Sequence, residues 1–231
     1  MDVLVALEND PSAILLAGIF GSAGSFLAVD FMARARDGNS VSRLNWLFIV
    51  SVIFGAASWS AQVLTVLAHR AGFDPAGLFS SLLAFTAVTT LGFYLALRSA
   101  RGFTAEAGGA AIGMGGILGY NMVLASAGHP LPHATAGAGA WSAYLATTAL
   151  CALGFSAAVR LNGRFSRLLS AGMLMASFAP LAMMGMPDAP EAAALATAGR
   201  DIVLPSVIVI MTAVLGTALA TYNIENQSRH E

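Results

Sequence analysis

The sequence predicts an all-α membrane protein, and three observations support that prediction. Of 231 residues, 57% are hydrophobic and 10% charged, against roughly 25% charged in a soluble domain. The apolar residues gather into seven stretches, near 12–33, 44–68, 75–97, 105–128, 135–159, 166–186 and 201–223. Each meets the length of about 20 residues that a hydrocarbon core of about 30 Å requires. The stretches lack the ten-residue alternation of a β-barrel, so helices are the remaining way to satisfy the backbone in lipid. The same composition excludes a soluble enzyme, a disordered chain and a nucleic-acid binder, because the net charge is −1 and no basic run occurs. Lysine is absent and all eleven basic residues are arginine, which excludes a Schiff base. Cys151 is the single cysteine, too few for an internal disulfide or a thiolate cluster.

The elements follow in order as one domain spanning residues 1–231. Helix one (12–33) opens behind Asn9-Asp10-Pro11 and closes at Arg34. Its leader contains Asp2, Glu8 and Asp10 without a positive charge, so it does not read as a cleaved signal peptide. Gly18, Gly21 and Gly24 are expected to admit a neighbouring backbone, and Asp30 to pair with Arg34 one turn on. Helix two (44–68) contains Trp46 and ends in ASWSAQVLTVLAH. Helix three (75–97) opens behind Phe73-Asp74-Pro75 and closes at Arg98, the spacing of helix one. Helix four (105–128) contains Gly109-x-x-x-Gly113 and Gly115-x-x-x-Gly119, which predict close packing and a central place. Helix five (135–159) follows Pro130-Leu131-Pro132 and includes Trp141 and Cys151, the latter read as an inert buried thiol. Pro180 should kink helix six (166–186) near its end and free a carbonyl. Helix seven (201–223) completes the set.

Arginines set the expected direction. Arg34, Arg36 and Arg43 follow helix one, Arg98 and Arg101 helix three, Arg160, Arg164 and Arg167 helix five, and Arg229 lies in the tail. Only Arg70 and Arg200 fall on the other side, so the positive-inside rule puts the N-terminus outside and the C-terminus in the cytoplasm. The matched Asp-Pro openings and Arg closings predict a helical hairpin used three times, with a seventh helix appended.

Polar atoms concentrate near the outer ends of the even helices. Gln62, Asn121 and Ala182 each lie five or six residues in, about 8–9 Å deep at helical rise. If these helices converge, the two amides come within reach of each other, of Tyr120 or of one bridging water. The plainer alternative is that each amide bonds a neighbouring helix as packing glue.

At these positions the chain resembles the bacterial MHYT domain, a sensory membrane module of three helical hairpins and one further helix. WSAQVLTVLAH is similar to that family's first motif, GMGGILGYNMVLASAG to its second, and SFAPLAMMGM, with Gly185-Met186, to its third. The similarity covers nearly the whole chain. The motif residues themselves are replaced: Gln62, Asn121 and Ala182 stand at the histidine positions, Ala61, Tyr120 and Leu181 at the methionines, and Val63, Met122 and Met183 at the tyrosines. The resemblance implies a sensor in the bacterial cytoplasmic (inner) membrane. Its site would lie in the outer half, and it would signal to a cytoplasmic partner or within a homo-oligomer. Family members are thought to bind copper through the motif. An amide is a poor copper ligand and an alanine none, so no cofactor is expected here.

The candidate ligand site is therefore Gln62, Asn121, Tyr120, Trp59, Met122 and Met183. A relocated copper site would draw on His69, His129 and His133 at predicted outer ends, with Met184 and Met186. No acid–base or nucleophile–base pair lies at depth, so no enzyme is expected. The alternatives are an accessory subunit of a membrane complex, which the glycine-rich faces permit, and a small-molecule transporter or channel. The absence of charge at mid-membrane argues against the last. The tail TYNIENQSRHE is too short for an output domain, so the expectation is a sensor portion or a chain that hands its signal on.

Overall fold

A computed structural model describes residues 10–37, 40–68, 73–98, 103–128, 137–160, 163–183 and 192–228. These form eight helices and, among the described residues, no strand: α1 (Pro11–Asp37), α2 (Ser40–Ala68), α3 (Pro75–Arg98), α4 (Thr104–Ser126), α5 (Gly137–Arg160), α6 (Arg164–Ala176), α7 (Ala179–Met183) and α8 (Ala192–Ser228). Seven stretches are long and apolar enough to cross a membrane, the sixth running from Phe165 to Ala182 through the α6–α7 bend. This is the build of a multi-pass membrane protein.

The matched openings of α1 and α3 are the same cap built twice. Asp10 Oδ1 accepts from the Ala13 N–H at 3.1 Å, and Asp74 Oδ2 from the Gly77 N–H at 2.8 Å. A proline follows each aspartate at the first helical position, where its missing N–H would have had no partner anyway. The Asp74 N–H donates to the Ser126 carbonyl at 2.7 Å, which fastens the start of α3 to the end of α4.

Consecutive helices from α1 to α6 pack side by side, and α6 returns to α1. The most buried span is α2, which touches α1, α3, α4 and α8. Centrality therefore belongs to α2 rather than to the glycine-rich α4. In α4, Gly109 and Gly113 meet the backbone of α5 at Ala152 and Thr148, whereas Gly115 and Gly119 receive Val88 and Phe85 of α3. The two motifs thus serve two neighbours, and Met114 and Leu118 still face outward. Of the α1 glycines only Gly24 admits a neighbour closely, at Ala57; Gly21 makes one ordinary contact with Ala61, and nothing lies within 4 Å of a Cβ at Gly18.

The arginine-bearing ends are cross-tied. Asp30 of α1 accepts from Arg34 at 3.4 Å, the predicted pair, and also from Arg167 of α6 at 3.0 Å. Arg36 donates to the Val159 carbonyl at 2.7 Å. Glu106 of α4 accepts from Arg160 and Ser156 of α5, each at 2.9 Å. The Arg34 guanidinium stands 4.3 Å from the Tyr222 ring of α8.

The last two spans differ most from their sequence limits, while α1 runs on to Asp37 and α2 begins at Ser40, each four residues beyond the apolar stretch. The last begins at Ala192, inside a stretch that reads as a polar break, because an alanine-rich segment holds a helix beyond the apolar span. Helix six is not merely kinked: it stops at Ala176, turns through Ser177 and Phe178, and restarts as α7. Pro180 lacks the N–H that the Ala176 carbonyl would have received. The bend turns the Phe178 ring inward against Phe54 and Phe85, each 6.1 Å away between centroids. Phe93 and Phe155 continue this aromatic core, 4.9 Å apart.

Candidate functional site

In the half of the bundle away from the cross-tied arginine ends, α1, α2 and the α6–α7 bend border an open-sided cavity of about 360 Å³. Along α1 its wall runs from Ile14 through Ala17, Gly18 and Gly21 to Ser25, about 16 Å at helical rise. Ser58, Ala61, Gln62 and Thr65 line it from α2, Tyr120 from α4, and Met175, Phe178 and Leu181 from the bend. Gly18 and Gly21, expected to admit a helix, instead leave room. On α1 the Ser22 hydroxyl donates to the Gly18 carbonyl at 2.6 Å and lies 3.1 Å from the sulfur of Met175, a lining residue. Such a volume lies within the range of small-molecule sites.

Gln62 is 4% exposed, and its Nε2 donates to the Gly116 carbonyl of α4 at 3.1 Å. Gly119 leaves space beside the amide, since a Cβ there would stand 3.5 Å from Gln62 Oε1. The bond also fixes the amide: Nε2 must face the carbonyl, so Oε1 is the remaining group and can only accept. Oε1 is buried and has no hydrogen-bond partner. Tyr120, 2% exposed, shares the cavity with Gln62.

The other predicted site residues are dispersed. Asn121 follows Tyr120 by one position, about 100° around the helix, and so turns to α5, where Oδ1 accepts from the Tyr144 hydroxyl at 3.2 Å. The two amides thus serve different neighbours, each bonding an adjacent helix. Trp59 donates from Nε1 to the Ser81 hydroxyl at 2.8 Å and lines a second, apolar cleft between α2, α3 and α8. Met122 is half-buried and does not line the first cavity. His69, His129, His133, Met184 and Met186 lie outside the described residues, as does the side chain of Met183.

Sequence reasoning missed Ser58, Met175 and Phe178 as lining residues. Pro180 was the usable signal, since a broken helix displaces the residues just before the break. The cavity's described donors are one thioether, one amide, one phenol and hydroxyls, a set that does not fit copper, which favours imidazole, thiolate and several thioethers. Among the described residues no three of His, Cys, Asp and Glu come together. Cys151 is fully buried, and its thiol donates to the Ser177 hydroxyl at 3.1 Å.

No protein-family model matches the chain, and neither a curated protein nor a solved structure is significantly similar to it.

Proposed function

We propose that the chain is a membrane ligand-binding module of the sensory type, resembling the MHYT domain in its hairpins but not in its metal chemistry. In this reading it lies in the bacterial inner membrane as three hairpins and a seventh helix, with the N-terminus outside and the C-terminus in the cytoplasm. The cavity then opens in the outer half and the cross-tied arginine ends face the cytoplasm. The observation that carries the reading is the cavity itself, with a buried amide held against α4 and α1 withdrawn from α7.

A route inward follows from the same helices. A molecule wedged between α1 and the bend acts on α1 and α6, which are joined at their other ends by the Asp30–Arg167 pair. Moving them alters a contact that also includes Arg34, and through it Tyr222 of α8. A ligand shifts such an arrangement only by the difference in its affinity for the two states. Conduction is less supported, because a path through the bundle would meet Phe54, Phe93 and Phe155, all fully buried.

Native mass spectrometry of protein released from its own membrane tests this reading. The wild type should retain a small molecule that Gly21→Leu loses. A Cβ at Gly21 meets only Ala61 at 3.8 Å, so the backbone tolerates the change while the side chain fills the cavity. A wild type that retains no small molecule but holds stoichiometric membrane subunits would favour the accessory-subunit alternative.

A further inference from the structure

We infer that the cavity binds an uncharged, lipid-soluble carbonyl compound, such as a ketone or quinone, through the hydroxyls of Ser25, Ser58 and Tyr120. This rests on the ligand-binding reading above and adds the polar chemistry of the ligand.

Most hydroxyls in the bundle give their proton to their own helix. Ser22, Ser51, Thr65 and Thr148 each donate to the carbonyl four residues back, at 2.6, 2.7, 2.8 and 2.9 Å. Ser25 of α1, Ser58 of α2 and Tyr120 of α4 make no hydrogen bond with any described residue, although they are only 3%, 4% and 2% exposed. They are not sealed in either. The unpartnered polar side-chain atoms that are fully enclosed are Ser60 Oγ, Gln62 Oε1 and Thr147 Oγ1. The three hydroxyls therefore meet open space, and the space that all three line is the cavity.

Their depth narrows what can reach them. Gly24 of α1 stands against Ala57 of α2, so the residues that follow, Ser25 and Ser58, nearly share a level. That level lies near the middle of both spans, Pro11–Arg36 and Arg43–Ala68, about 15 Å from either headgroup layer. A phospholipid head does not descend so far, and a charged group is costly there. No charged described residue lines the cavity to receive one.

The unused protons set the chemistry. A buried hydroxyl without a partner is costly, and an acceptor supplied by the ligand removes that cost. A carbonyl oxygen accepts two hydrogen bonds and brings no proton of its own to be matched. An alcohol or amine adds a donor where donors are already in surplus. The body of the molecule then lies against Ile14, Ala17, Phe178 and Leu181.

Photolabelling in phospholipid vesicles tests this with three twelve-carbon probes that carry the same diazirine: a ketone, the matching secondary alcohol and the hydrocarbon. At equal membrane concentration the ketone should label the segments bordering the cavity about fivefold more than the hydrocarbon, the ratio one net hydrogen bond gives, and more than the alcohol. The triple variant Ser25→Ala, Ser58→Ala, Tyr120→Phe deletes three oxygens and keeps the carbon frame. It should bring the ratio to about one, whereas Ser51→Ala should leave it unchanged. Because the three hydroxyls hold no protein partner, the triple variant should unfold in detergent at the wild-type midpoint or above. Equal labelling by ketone and hydrocarbon, a preference for the alcohol, a ketone preference that survives the triple change, or a lowered midpoint each overturns the inference. A charged or water-soluble molecule in the native mass spectrum would overturn it too, yet leave the binding module standing. Wild type and Gly21→Leu that behave alike with every probe and hold no small molecule would remove both readings.

Discussion

Phe178, in the turn between α6 and α7, lies against Gly116 of α4 where any side chain would meet its ring. The same glycine offers its carbonyl to Gln62. One residue thus seats the aromatic core and anchors the amide on the cavity wall. Gly116→Ala should overpack this point and lower stability by about 1–3 kcal/mol. Gly139→Ala, where a Cβ meets nothing within 4 Å, should be neutral or slightly favourable. Thermal unfolding in detergent compares them, and equal midpoints would show that Phe178 is not seated as described.

Cys151 provides a reporter for the same bend. Its thiol is fully buried and donates to Ser177, the first residue of the turn. A membrane-permeant maleimide should leave it unmodified in folded protein and modify it fully after denaturation, because reaction requires an exposed thiolate. Rapid labelling of the folded protein would mean that the turn opens readily.

Topology is tested by a reporter enzyme active only in the periplasm. Fused after Glu231 it should be silent, because nine of eleven arginines fall on the side assigned to the cytoplasm. Activity there would reverse the orientation and put the cavity in the inner half.

Much of the architecture was legible because simple rules acted on single residues. Asp10 and Asp74, each followed by proline, mark helix starts through the cap they form, and Pro180 marks a break through a missing donor. What was not legible depended on direction around a helix. Gln62 and Asn121 share a depth, yet neighbouring residues on α4 point about 100° apart, so Tyr120 reaches the cavity while Asn121 reaches Tyr144. Gly18 and Gly24 are identical in sequence terms; whether a glycine admits a helix or leaves a space depends on what stands opposite. The most glycine-rich helix was likewise not the central one, since small residues serve close contact on particular faces rather than burial all round.

Elemental analysis of detergent-purified protein, prepared without added metal, should find copper far below one equivalent. The donors around the cavity are hydroxyls, one amide and one thioether, whereas copper sites draw on imidazole and sulfur together. Stoichiometric copper lost on replacing His69, His129 or His133 would show a ligand set outside the described residues and would reopen the metal reading.

The last test separates one polar site from two. Gln62→Leu removes a bond to the Gly116 carbonyl and an orphan acceptor, and Asn121→Leu leaves the Tyr144 hydroxyl without its acceptor. Polar contacts inside membrane bundles average about 0.6 kcal/mol, so each variant should remain folded. Because the two amides share no partner, their effects on stability should add within about 0.5 kcal/mol in a double-mutant cycle. Their effects on ligand binding should differ: Gln62→Leu should abolish retention of the bound molecule, whereas Asn121→Leu, which faces α5, should leave it nearly unchanged. A coupling energy above about 1 kcal/mol would show that the amides act on one another after all. Equal loss of binding in both variants would then place Asn121 in the cavity with Gln62, and the separation of Tyr120 from Asn121 around α4 would have to be abandoned.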